Sequence, residues 1–281
     1  MVHTAASAAT VALREAIRDT GKRVYVLAFS MRSGSTALAH DLEQWGLGLP
    51  LEYFQPNLYL RRHGGPGPSA HLLESIRRAP GDVFGFKISW EQAFVLAESL
   101  AAEDVHVDGP DLRAVVPGLT YLHLSRRDKA GQAVSAWRAE RTGHWHRPVE
   151  PDGGAPGSAP EPRPVEAGYG DDEDDDPGDD LAAVRDVLLQ LLAEDWLWHD
   201  FLARTGITAT ALVYEDYLAD RRGVLRRVAA ALGLPPAGEV PDPRTEIMRD
   251  GRSAELAARL RDHLHRPAHP FWVGTAATGT G

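Results

Sequence analysis

The chain has 281 residues, 43% of them hydrophobic and 25% charged, which is enough to bury one substantial core and ordinary for a globular protein. It contains no cysteine, which excludes a disulfide framework, a thiolate metal site and a cysteine nucleophile, and fits a cytoplasmic protein. The net charge of −10 is concentrated between Pro148 and Asp180, where twelve acidic residues face one basic residue, so the rest of the chain stands at +1 and carries no basic stripe for nucleic acid.

Met1 to Thr20 is Ala-rich, but it contains Glu15 and Asp19 and has no basic start, so it does not read as a targeting segment. Val24 to Phe29 is a short apolar run rich in β-formers and predicts a strand, with a helix over Ser35 to Trp45. Val83 to Ile88 predicts a second strand and Glu91 to Ala102 a helix; Thr120 to Leu124 predicts a third strand, with a helix from Asp128 to Arg141. From Pro148 to Asp180 the chain is rich in Pro, Gly and Asp and nearly free of large apolar residues, which reads as an inserted, solvated loop. A helix over Leu181 to Ala203, a strand at Ala211 to Tyr214 and a helix over Arg222 to Leu232 follow, and residues 267–281 read as a flexible tail. Apolar strands alternating with helices imply an α/β fold, a parallel sheet covered by helices on both faces, in a single domain over residues 1–281. No run reaches the roughly eighteen apolar residues of a membrane span.

Ligands of such sheets bind at the carboxyl ends of the strands. At the first of these ends, Phe29 to Thr36 has the makings of an anion cradle. Ser33, Gly34 and Ser35 are small enough for backbone N–H groups to approach an anion, and the helix beginning near Ser35 adds its positive end. Arg32 adds a charge, and Ser35 and Thr36 add hydroxyls. Laid on the ATP-binding pattern G-x-x-x-x-G-K-[ST], the loop has Phe29 at the first Gly and Ser35 at the Lys, so the residue that would reach the β- and γ-phosphates is missing. Lys87 closes the second strand, where it either reaches a reacting group or snorkels to solvent. Trp90, Trp145 and His146 offer flat faces for a sugar ring or an adenine. No metal site is expected, because His144 and His146 are two residues apart and lack carboxylate companions.

Taken together, these features resemble the PAPS-dependent sulfotransferases, whose 5′-phosphosulfate loop reads P-[KR]-S-G-[ST]-T; here Arg32 holds the Lys/Arg place and Met31 replaces Pro. The chain is similar in particular to the bacterial branch typified by trehalose 2-sulfotransferase. The matching stretches are Arg32 to Thr36, Leu51 to Phe54, Phe84 to Lys87 with Trp90, and Arg126 to Lys129. Gln132 to Ser135, Arg138 to Glu140, Thr142 with Gly143, Trp145 to Arg147 and Tyr214 to Asp216 continue them in order.

The resemblance implies a P-loop-like sheet, 3′-phosphoadenosine 5′-phosphosulfate (PAPS) as sulfuryl donor, its product PAP, no metal, and a hydroxyl acceptor such as a sugar; it is compatible with a homodimer. Arg32, Ser33, Gly34, Ser35 and Thr36 would hold the 5′-phosphosulfate and Arg127 with Ser135 the 3′-phosphate, with Tyr214, Met248 and Arg249 nearby. Asp250-Gly251 interrupts the family's C-terminal donor-binding segment, and the acidic insert is unusually long. Ser89 stands where many eukaryotic members carry a basic His, so the base implied is Glu52, of the Glu-Tyr-Phe motif, with Arg32 and Lys87 assisting. Its apolar neighbours Leu49, Leu51, Tyr53 and Phe54 predict a raised carboxyl pKa. Glu52, Tyr53, Phe54, Trp90, Trp145 and His146 are the expected acceptor residues. A kinase-like phosphotransferase on the same sheet, or a scaffold using the acidic insert, are the competing readings.

Overall fold

β1 (Arg23–Phe29) is buried at every residue after its first, because its side chains alternate between two hydrophobic layers. Val24, Val26 and Ala28 face one layer and Tyr25, Leu27 and Phe29 the other, the two-residue period of a strand covered on both sides. The computed structural model describes residues 6–55, 67–143, 145, 180–235, 238 and 251–265. Within them β2 (Val83–Ile88), β3 (Thr120–Ser125) and β4 (Thr210–Val213) join β1 in one sheet, every pair parallel, in the order β2-β1-β3-β4. The chain steps from β1 to β2 on one side and returns to β3 on the other. The carboxyl ends of β1 and β3 therefore flank the crevice where such sheets take ligands.

The helices are α1 (Ala8–Arg18), α2 (Ser35–Gln44), α3 (Pro68–Arg78), α4 (Trp90–Ala101), α5 (Lys129–Thr142), α6 (Leu181–Thr205), α7 (Tyr214–Ala219), α8 (Arg221–Ala231) and α9 (Gly251–Leu264). One face of the sheet packs on α1, α3, α4 and the end of α6 through Leu13, Leu72, Leu96 and Trp198. The other packs on α2, α7 and α8 through Leu38, Tyr217 and Val228. A third cluster joins α5, the start of α6 and α9 through Trp137, Leu191 and Leu260. The α/β architecture expected from the alternating strands and helices is present.

Four helices are additional to those expected. α1 and α9 bury narrow stripes, Leu13 with Ile17 and Leu256 with Leu260, on otherwise polar segments. α3 opens on Pro68, whose fixed φ and missing N–H suit a first helical position. α7 begins at Tyr214, so β4 ends one residue before the strand expected there. Among the described residues no helix is long and apolar enough to cross a membrane. The acidic stretch from Pro148, except Asp180 at the N-cap of α6, and the expected tail at 267–281 lie outside the described residues.

Candidate active site

The loop after β1 turns tightly through two positive φ values, 59° at Arg32 and 86° at Gly34. Only glycine adopts the second without strain, and a Cβ there would lie 2.2 Å from Cδ2 of Tyr214. Gly34 is the N-cap of α2 and offers no side chain to its orphan N–H groups, so the helix start is left open to an anion. The Ser33 hydroxyl is fully buried and has no hydrogen-bond partner among the described residues. An open helix start beside a buried hydroxyl awaiting a partner fits a phosphate or sulfate oxygen. Arg32 donates from Nε to Ser135 Oγ at 2.9 Å and from Nη1 to the carbonyl of Trp145.

Lys87 does not snorkel. It is buried at the end of β2, and Nζ donates to Thr36 Oγ1 at 2.8 Å while pairing with Glu52 Oε1 at 3.1 Å. Glu52 reaches it because Leu51 bridges to β2 and accepts from the Lys87 N–H at 2.9 Å, while Phe54 is sunk in the core against Phe86. The second carboxylate oxygen accepts from Gln55 Nε2 at 2.8 Å and from Gln92 Nε2 at 2.9 Å. Gln92 is itself held by the capping box of α4, where it also accepts from the Ser89 N–H. The expected rise in the Glu52 pKa is not found. Burial pushes it up, but Lys87 and the two amide donors outweigh burial and the pKa is lowered. The apolar neighbours along the chain did not reveal a cation brought in from another strand.

The expected pair Arg127 and Ser135 is not brought together. Arg127 is 60% exposed and donates to Asp216 Oδ1 at 2.7 Å, whereas Ser135 holds Arg32. Arg126 turns inward instead: it donates to the Arg32 carbonyl at 3.2 Å, and its guanidinium lies 5.1 Å from the Tyr214 ring centroid. Strand alternation could have found this, since Leu122 and Leu124 share a face with Tyr214 and Arg126 continues their parity. Burial first, and the Arg126 charge second, lower the Arg32 pKa. Two such cations turned toward each other gain from an anion between them.

Of the expected acceptor residues, Phe54 lies buried in the core. Trp90 packs in an aromatic cluster with Phe94, Trp198 and Phe201, and its backbone N–H donates to Glu194 Oε1 at 2.9 Å. The Tyr53 ring lies on Phe84 with its hydroxyl on the Leu49 carbonyl at 3.3 Å, and Trp145 meets Arg32 through its carbonyl. Ser35 is buried at the start of α2. His146, Met248 and Arg249 lie outside the described residues.

The profile of the Stf0 sulphotransferase family matches residues 24–263, which spans the loop, Glu52, Lys87 and Arg126. The chain belongs to the Stf0 sulphotransferase family. Two relatives of this Stf0 sulphotransferase are trehalose 2-sulfotransferases. The one from Mycobacterium tuberculosis (strain Erdman) is 26% identical over 286 residues, covering 88% of this chain and 98% of that protein. The one from Mycolicibacterium smegmatis is 25% identical over 283 residues, covering 88% and 97%. Within the matched region Lys87 links the loop after β1, through Thr36, to Glu52.

Proposed function

We propose that this Stf0 sulphotransferase moves the sulfuryl group of PAPS to a hydroxyl of a sugar or similar small molecule, with Glu52 as general base. The observation that carries the reading is the Lys87 bridge, 2.8 Å to Thr36 in the cradle and 3.1 Å to Glu52. A carboxylate tied to the loop that would take the donor supports the role of base. The sugar class rests on the names of the two relatives, both trehalose 2-sulfotransferases.

In this reading the acceptor oxygen attacks sulfur, the bond from sulfur to the 5′-phosphate oxygen breaks, and the hydroxyl proton passes to Glu52. Negative charge grows on the departing phosphate, and Arg32, Lys87 and the N–H groups at the start of α2 oppose it. Arg126 and Tyr214 flank the cradle, where a second phosphate and a flat base would find a cation and a ring. The lowered pKa keeps Glu52 ionised at neutral pH, so the base is ready without prior deprotonation.

Two measurements test this. Thermal shift should respond to PAP and not to ATP with Mg²⁺; stabilisation by ATP–Mg²⁺ alone would overturn the donor. Glu52→Gln should retain PAP affinity and lose turnover by about 10²-fold or more, the usual scale of a lost general base. Near-normal turnover of that variant removes Glu52 from the role. The acidic limb of kcat against pH should lie below the ordinary carboxylate range, following the lowered Glu52 pKa.

A further inference from the structure

Lys129 and Gln132 stand in the stretch most alike to the sulfotransferases, yet the proposed chemistry gives neither a task. With Ser135 they recur every three residues along α5, on one side of the helix. Gln132 Nε2 donates to Ser30 Oγ at 3.0 Å and to the Met31 carbonyl at 2.6 Å, and Ser135 accepts from Arg32 at 2.9 Å. Three consecutive residues of the loop, Ser30, Met31 and Arg32, are thus engaged by one helix face.

A residue in no recognised motif closes the set. Asp195, in the middle of α6, is 9% exposed and accepts from Ser30 Oγ at 2.8 Å through Oδ1. Its Oδ2 pairs with Lys129 Nζ, which also donates to Gln132 Oε1 at 3.1 Å. The result is a closed ring: Asp195 to Ser30, Ser30 to Gln132, Gln132 to Lys129, and Lys129 back to Asp195. The Ser30 hydroxyl donates to one member and accepts from another, so its direction is fixed from both sides, and Ser30 begins the turn that sets Arg32 at φ 59° and Gly34 at φ 86°.

We infer that Asp195 is a positioning residue for the donor cradle, acting through the Ser30–Gln132–Lys129 ring to hold the loop in its binding shape before the donor arrives. A rigid cradle spares the donor the ordering of the loop, so breaking the ring should weaken donor affinity more than it slows the chemical step. The inference rests on the loop being the donor site, and its test separates the two.

The full-length chain is made as wild type, Asp195→Asn, Ser30→Ala, Lys129→Met, Lys129→Arg and, as an exposed control on the same helix, Asp186→Asn. Hydrogen–deuterium exchange over residues 29–38 is followed without ligand, with PAP affinity and PAPS kinetics alongside. Asp195→Asn, Ser30→Ala and Lys129→Met should each speed exchange of the loop amides about tenfold, the loss of one or two net hydrogen bonds. PAP affinity should fall and the PAPS KM should rise by about tenfold, with kcat within about threefold. Lys129→Arg should restore most of the affinity, and Asp186→Asn should match wild type. Unchanged loop exchange in Ser30→Ala and Asp195→Asn overturns the proposal. So does a loss of kcat with the KM intact. If Asp195→Asn unfolds, Ser30→Ala, which removes one oxygen, decides. If wild-type protein does not bind PAP, the donor reading fails and loop exchange alone decides the ring.

Discussion

Arg126 and Arg127 are neighbours of identical chemistry with opposite fates. One is 9% exposed and stacked over Tyr214, the other projects to Asp216 at the surface. An exposed pair such as Arg127–Asp216 contributes little, whereas a buried guanidinium facing a second cation is placed to gain from an incoming phosphate. Arg126→Gln should weaken PAP binding by about tenfold or more, the scale of a charged hydrogen bond, and Arg127→Gln by less than about threefold. Titration calorimetry distinguishes them, and a larger loss in Arg127→Gln would return the phosphate role to it. The resemblance pointed to Arg127, and eight residues bring Ser135 round by two turns. It took no account of the half-turn that each residue makes at the end of a strand.

At the scale of elements, the start of α2 and the start of α7 act as one unit. Gly34 can turn as it does because Tyr214, the first residue of α7, leaves room only for a hydrogen. Gly34→Ala meets both a strained φ and a Cβ 2.2 Å from the ring, and should cost about 1–3 kcal/mol or more. Differential scanning calorimetry should show the double change Gly34→Ala with Tyr214→Ala costing less than the sum of the two, because removing the ring relieves the clash and leaves the φ strain. Strict additivity would mean that the ring does not press on the turn. The elements that could be read in the sequence were those with a local signature. β1, β2 and β3 are continuous apolar runs, and α5 starts at Asp128, whose side chain caps it by accepting from the Gly131 N–H. α1 and α9 were missed because a two-residue stripe in a polar helix is visible only once its partner surface exists.

For the molecule as a whole, stability carries the mark of a buried acid next to the site. Glu194 accepts from the backbone N–H of Trp90, and its pKa is raised from 4.5 to about 7, first by burial and then by Asp195 and Glu91, against the pull of that N–H and of Lys129. Between these values the folded protein holds a proton that the unfolded chain has released, so stability falls as pH rises through the window. Glu194→Gln should remove that slope: the Tm of the variant relative to wild type should climb from about pH 5 to about pH 8 and level off beyond. A pH-independent difference would show that Glu194 ionises normally. The Glu52–Lys87 pair works in the opposite sense, stabilising above the ordinary carboxylate range and lost as pH falls through the lowered Glu52 pKa.

The alternating α/β plan and the small-residue loop between β1 and α2 were legible along the chain. Those follow from side-chain periods of two and of about 3.6 residues and from the chemistry of a helix start, all set within a few neighbours along the chain. Which arginine faces inward, the lowering of the Glu52 pKa, and the clasp of Asp195 on the loop through Ser30 came with the packed fold. Each depends on a partner brought from another element: the Lys87 cation to Glu52 from β2, the Tyr214 ring to Arg126 from α7, and the Asp195 acceptor to Ser30 from α6. Electrostatic contacts act through space, and no local pattern in the chain encodes which distant partner the fold will deliver.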